Sequence, residues 1–147
     1  MSLGLPGYVL VMIPTLNEEK GMRKVLEDVP KDVDVLVVDG GSTDETVEVA
    51  RQYQARVIKQ KFGRGKGGGV RTGMEFFLSS KYDVLCMIDG DGSTDPKELP
   101  KMIEAMNDKN AEVVLGSSEG GYEKRALCLH LQFFQTSLCL CFLGCDS

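Results

Sequence analysis

Residues 83–116 read DVLCMIDGDGSTDPKELPKMIEAMNDKNAEVVLG and hold one complete repeat of the chain's architecture. It opens on an apolar run, Asp83–Ile88, of the kind expected for a strand covered on both faces. An acidic glycine loop follows, Asp89–Asp95. Pro96–Asp108 then reads as a helix and Ala111–Gly116 as another strand. Strand, polar loop, helix, strand is the unit of a parallel α/β sheet.

The same unit recurs upstream. Tyr8–Ile13 (YVLVMI) is a continuous apolar run expected to stop at Pro14. Asn17 is the expected N-cap of a helix whose apolar stripe is Met22, Val25, Leu26 and Val29, at i, i+3, i+4 and i+7. Val33–Val38 is the second strand. Ser42-x-x-Glu45 has the form of a capping box and opens a helix to about Gln54. Arg56–Gln60 is a short third strand, followed by a glycine-rich loop and a helix over Gly68–Ser80. The order β-α-β-α-β-α-β-α-β predicts a mostly parallel sheet with helices on both faces. Ligands of such sheets bind beyond the carboxyl ends of the strands. The polar segments Pro14–Glu18, Asp39–Asp44, Gly63–Gly69 and Asp89–Asp95 all fall there. The alternation stops after about Ser117.

The bulk composition fits this reading. The chain has 147 residues, 42% hydrophobic and 27% charged, which is one ordinary globular domain. Its net charge of −5 argues against a general nucleic-acid binder, which needs a basic face. No apolar stretch long enough for a transmembrane helix is free of polar interruptions, and Met1–Pro14 lacks the basic start of a signal peptide. A cytoplasmic protein is expected, soluble or peripheral at a membrane. The cysteine count of 5 is odd, which argues against a disulfide framework. Cys86 reads as a small buried hydrophobe. Cys139-x-Cys141 is not a zinc knuckle, and the single histidine, His130, has no histidine partner.

Three motifs carry chemistry. Asp89-Gly-Asp91-Gly-Ser93 places carboxylates at i and i+2 past a buried strand. Such a pair suits Mg²⁺ or Mn²⁺, hard cations that leave positions open for phosphate oxygens. The other reading is a plain turn. An EF-hand is excluded, because Thr94 and Pro100 stand where its Gly and Glu belong. Second, Lys59–Arg71 holds five cations and no acid. Its glycine amides and the following helix N-terminus favour an anion. Gly63-x-Gly65-x-x-Gly68 also matches a dinucleotide fingerprint, though on the third βα turn rather than the first. Third, Asp39 at a strand's end can accept from a ribose hydroxyl or a base N–H, or simply close a turn that Ser42 caps.

IPTLNEE (Ile13–Glu19), VVDGGSTDETVEVA (Val37–Ala50), GRGKGGGVRTG (Gly63–Gly73) and MIDGDGSTDPKELPKMI (Met87–Ile103) together resemble family 2 glycosyltransferases of the GT-A fold, nearest to the polyprenol-phosphate (dolichol-phosphate) mannosyltransferase-like enzymes. The resemblance covers about Tyr8 to Ser117. It implies that Pro14, Thr15, Asn17 and Glu18 edge a nucleotide pocket, and that Asp39 binds base or ribose. It further implies that Arg64 and Lys66 lie near the diphosphate. Asp89 and Asp91 would hold the divalent metal, with Asp91 the catalytic member. The donor would be a GDP- or UDP-sugar and the acceptor a lipid phosphate at a membrane surface. Ser93 stands where the polyprenol enzymes often have Gln, Gly40 where many relatives have a second acid, and Gly116-Ser117-Ser118 replaces their G-S-R.

The expected organisation is a nucleotide-sugar-binding domain over 1–117. A divergent, apolar, cysteine-rich tail over 118–147 belongs to the same domain or makes an oligomer or membrane contact. Its stretch Ala126–Leu143 is expected to pack on a second copy of the chain or to touch a membrane. The acceptor half is expected to be missing in whole or part, leaving little or no sugar transfer. The rivals are a dinucleotide-binding oxidoreductase domain and a sugar-nucleotide-binding module without turnover.

Overall fold

A computed structural model of the chain describes residues 8–116 and 126–130. Its elements run β1 (Val9–Thr15), α1 (Glu19–Asp28), β2 (Asp34–Asp39), α2 (Thr46–Gln52), β3 (Arg56–Lys59), α3 (Lys66–Leu78), β4 (Val84–Met87), α4 (Leu99–Asp108), β5 (Val113–Gly116) and β6 (Ala126–His130). The strands form one sheet in the order β3-β2-β1-β4-β6-β5. β1 pairs in parallel with β2 and β4, and β2 with β3. β6 is antiparallel to both of its neighbours.

The apolar runs are continuous because both faces of the sheet are covered. Val9, Val11 and Ile13 of β1 join Met22, Val25 and Leu26 of α1, Val49 of α2 and Ile103 of α4 on one face. Leu10 and Met12 point the other way, onto Phe77 of α3, with Leu36, Val38 and Leu85 beside them. Every residue of β1 is buried. Each fully buried Val, Leu, Ile or Phe contributes on the order of 1.5–3 kcal/mol, so this strand is the centre of the fold energetically as well as spatially.

Several expected boundaries move, each for a local reason. β1 does not stop at Pro14 but runs on to Thr15. Thr15 faces β2, where its carbonyl accepts from Gly40 N–H. Pro14 therefore faces the β4 side, beyond the last β4 pair at Met12 and Met87, where no ladder donor is needed. Asn17 is not an N-cap. It sits at φ 53, and Glu18 holds the cap position without a side-chain bond. Ser42 caps nothing either, since α2 starts at Thr46 and Asp44 Oδ1 accepts from Thr46 N–H at 3.0 Å. The Pro96–Asp108 helix opens as a 3₁₀ turn, Pro96–Glu98, before α4 proper, with Asp95 accepting from Lys97 N–H. Pro100 falls in the first α-helical turn, where a missing N–H costs little.

β6 was not foreseen. Its five residues lie in the 118–147 segment, yet they fill the gap between β4 and β5. Cys86 and Cys128 stand in register there, both fully buried, with sulfurs 2.9 Å apart. Cys86 is thus the small buried hydrophobe expected, and its contact with Cys128, then burial, push its thiol well above the ordinary value. The tail expectation for 131–143, and Cys139, Cys141 and Cys145, lie outside the described residues. No helix among the described residues is long and apolar enough to cross a membrane.

Candidate active site

The loops after β1, β2, β3 and β4 meet at one edge of the sheet, where strand order reverses between β1 and β4. They enclose a cavity of about 550 Å³, within the roughly 300–1,000 Å³ of small-molecule sites. Pro14, Thr15, Leu16, Glu18, Gly40, Gln60, Arg64, Gly65, Lys66, Asp89 and Asp91 line it. Seven of the expected site residues are thus brought together: Pro14, Thr15, Glu18, Arg64, Lys66, Asp89 and Asp91. Asn17 and Asp39 are not on its wall.

The acidic side is built on α1. Asp89 is half-buried and Gly90 buried, whereas Asp91 is exposed. Gly21 of α1 lies directly against this loop: a Cβ there would stand 2.4 Å from the carbonyl carbon of Asp91 and 2.6 Å from the carbonyl oxygen of Gly90. Glycine inside a helix costs about 0.5–1 kcal/mol relative to alanine, and close approach of the Asp-Gly-Asp backbone is what it permits here. Glu18 closes the other side. Its Oε2 accepts from Thr15 Oγ1 at 2.9 Å and would be 2.6 Å from a Cβ on Gly90. Burial chiefly, then the nearby Asp91 and Asp89 carboxylates, hold the Glu18 carboxyl above its ordinary value despite the Thr15 bond and Lys66. Three carboxyl groups, those of Glu18, Asp89 and Asp91, thus gather on this side of the cavity.

The basic side is divided. Lys66 pairs with Asp89 across the cavity. Arg64 is exposed and has no ion-pair partner among the described residues. Two other cations of the Lys59–Arg71 stretch serve α3: Lys61 pairs with Glu75 at 2.8 Å, and Arg71 lies over the Phe62 ring at 4.2 Å. Gly65 ends the loop at φ 82, and α3 begins without a side-chain cap, so its first N–H groups face no protein acceptor of that kind.

Asp39 and Asn17 have structural work. Both Asp39 oxygens accept from Ser42 N–H at 3.2 Å, and Gly41 N–H adds a bond at 3.1 Å. Asn17 Oδ1 accepts from Thr43 N–H at 2.7 Å, and Glu18 N–H donates to Thr46 Oγ1 at 2.9 Å. These bonds lace the loops after β1 and β2 together. Asp91 also closes a turn, accepting from Ser93 N–H at 2.8 Å, so the turn-forming reading of this motif is part of the truth. Sequence reasoning missed Leu16, Gly21, Gln60 and Thr46. Only Gly21 carried a signal, a glycine inside an amphipathic helix pattern.

Carboxylates as hard oxygen donors, already bearing a cation in the Lys66 ammonium, fit Mg²⁺ or Mn²⁺. Among the described residues no cluster of three or more His, Cys, Asp or Glu could hold a metal. The remaining positions would fall to water and to phosphate oxygens, which is how such cations commonly bind. A buried hydroxyl in the same loop, Thr94 Oγ1, has no hydrogen-bond partner among the described residues.

The family described as Glycosyl transferase family 2 matches residues 10–143, and the chain belongs to it. This removes the oxidoreductase reading of Gly63–Gly68. Among curated relatives, the undecaprenyl-phosphate mannosyltransferase of Micrococcus luteus is 36% identical over 117 residues, covering 74% of this chain and 47% of that protein. The chain spans about half the length of the curated relatives it matches. Among solved structures, a mannosyltransferase from Pyrobaculum calidifontis in complex with GDP-Man and Mn²⁺ superposes with a TM-score of 0.69 at 17% identity, covering 87% of this chain and 46% of that one. Glucosyl-3-phosphoglycerate synthase from Mycobacterium tuberculosis, in complex with Mn²⁺, UDP and phosphoglyceric acid, gives 0.68 at 24% identity, covering 78% and 44%. At these identities the likeness is one of fold: the mostly parallel GT-A sheet expected from the sequence.

Proposed function

We infer that this chain is the donor-binding part of a glycosyltransferase that takes a nucleoside diphosphate sugar with a divalent cation. The transfer we propose is of a hexose to a polyprenol-phosphate-type acceptor at a membrane surface. The observation that carries the reading is the meeting of Asp89, Asp91, Arg64 and Lys66 around one cavity. A diphosphate needs cations on its oxygens, and Arg64 and Lys66 would supply them from the loop before α3. Lys66 is already tethered to Asp89, so incoming phosphate oxygens would replace that carboxylate as its partner. Pro14, Thr15, Leu16 and Gly40 would wall the nucleoside, with Asp39 behind Gly40 accepting from base or ribose through lone pairs its turn leaves open. A bound cation would supply Lewis-acid stabilisation of the departing nucleoside diphosphate. Support for the acceptor comes from the name of the Micrococcus luteus relative. A lipid phosphate is anionic at neutral pH, so it needs less help from a general base than an alcohol would.

A thermal-shift panel of GDP- and UDP-sugars with and without Mn²⁺ tests the reading. Ligand at 100 times its dissociation constant adds about 2.7 kcal/mol, or roughly 5–10 °C for a domain this size. Chelator and Asp91→Asn should each remove most of the shift. A shift that survives both ends the metal role, and no shift with any nucleotide ends the donor site.

A further inference from the structure

Gln60 is the first residue beyond β3, and it lines the cavity between Gly40 and Arg64. Its carboxamide is wedged among glycines. Nε2 donates to the carbonyl oxygens of Gly63 at 2.7 Å and Gly65 at 3.1 Å. Oε1 would be 3.3 Å from a Cβ on Gly40 and 3.2 Å from one on Gly69, and Nε2 only 2.5 Å from one on Gly68. The backbone of Gln60 donates to Asp39 O at 2.8 Å, which extends the β2–β3 ladder by one residue. One end of this residue is therefore fixed to the sheet and the other to the loop.

The loop's other anchors lie at its ends, where Lys61 N–H donates to Thr72 Oγ1 at 3.0 Å and Lys66 pairs with Asp89. Gly63 and Gly65 sit at φ 60 and 82, conformations that glycine adopts without cost. The carbonyls that Gln60 gathers belong to the residues on either side of Arg64. Bonding both fixes the direction in which Arg64 leaves the backbone. The second of them, Gly65 O, also accepts from Gly69 N–H at 3.4 Å, so the same contact sets where α3 begins and hence where Lys66 stands.

We propose that Gln60 is a positioning residue whose carboxamide holds the Gly63–Lys66 loop, and thereby aims Arg64 and Lys66 at the diphosphate of the donor. The part concerning the diphosphate rests on the function proposed above, whereas the hold on the loop does not. Gln60→Met removes donor and acceptor at similar length. Gln60→Glu sets a carboxylate against the two carbonyls and stands in should the first variant not fold. In the ligand-free protein, limited trypsin digestion should cut after Arg64 and Lys66 about tenfold faster in either variant, the scale expected for lost hydrogen bonds of this type. Cutting after Lys31, in the turn before β2, should not change. By calorimetry, affinity for a nucleoside diphosphate with Mn²⁺ should fall about tenfold, with affinity for Mn²⁺ alone unchanged. Parental cutting rates at Arg64 and Lys66, an equal acceleration at Lys31, or undiminished nucleotide affinity would each overturn the proposal. If the parent binds no nucleotide, the donor site itself is refuted, and the trypsin arm still decides whether Gln60 holds the loop.

Discussion

Replacing Gly21 by alanine sets two effects of opposite sign against each other. Alanine favours an α-helix over glycine by about 0.8–1.0 kcal/mol. The new Cβ, however, would stand 2.4 Å from the carbonyl carbon of Asp91, with carbonyl oxygens of Gly90 and Asp91 at 2.6 Å. These are backbone atoms and cannot swing away as a side-chain end could. Reaching ordinary contact at 3.4 Å demands a displacement of about 1 Å. Overpacking of this kind costs typically about 1–3 kcal/mol. The net effect is a loss of about 0–2 kcal/mol, or a midpoint lowered by at most about 4–8 °C at this chain length. Binding should suffer more than stability. The displaced group carries both carboxylates, and a misplacement of about 1 Å in a reactive constellation costs on the order of 10²-fold. We expect Gly21→Ala to stay folded in a ligand-free thermal scan while metal-dependent nucleotide affinity, by calorimetry, falls at least about tenfold. A variant that melts higher than the parent and binds as tightly would refute the close approach of α1 to the Asp-Gly-Asp loop.

Two further predictions use single residues. Glu18, held above its ordinary value, adds stability below its unfolded pKa and loses it as pH rises through the folded one. Glu18→Gln carries no such charge, so its thermal midpoint relative to the parent should rise from about pH 4 to about pH 7, and a difference that ignores pH would speak against a carboxylate buried among acids. Gly67, in the first turn of α3, has no atom within 4 Å of its would-be Cβ. Gly67→Ala should therefore stabilise by about 0.4–1 kcal/mol, and an unchanged or lower midpoint would contradict it.

The sheet was legible because its signal is local. Strands covered on both faces must be apolar throughout, so Tyr8–Ile13 and Asp83–Ile88 declared themselves, and the loops between fell on one edge by topology alone. Capping was misread because the partners are not local. Asn17 bonds 26 residues away at Thr43, and Ser42 takes a bond from Asn17 rather than closing its own helix. No spacing rule reports that two loops will lace together. Gln60 was invisible for the same reason, since a polar residue after a strand looks like any other until its carboxamide finds Gly63 and Gly65. The strand Ala126–His130 was missed because periodicity says nothing about which later segment fills a gap left in a sheet.

That gap has a consequence in time. β1 to β4 can assemble as soon as Met87 has been made, but the flank of β4 stays uncovered until β6 ends at His130, 43 residues later. At about 5–20 residues per second, synthesis leaves that edge open for roughly two to nine seconds. The opposite edge, β3, begins with Arg56 and ends with Lys59, charges that discourage a stray strand. The β4 edge, Val-Leu-Cys-Met, carries none. A nascent chain paused between residues 87 and 130 thus presents a short, bare apolar strand, and the ribosome's pace over that interval sets how long it must be shielded.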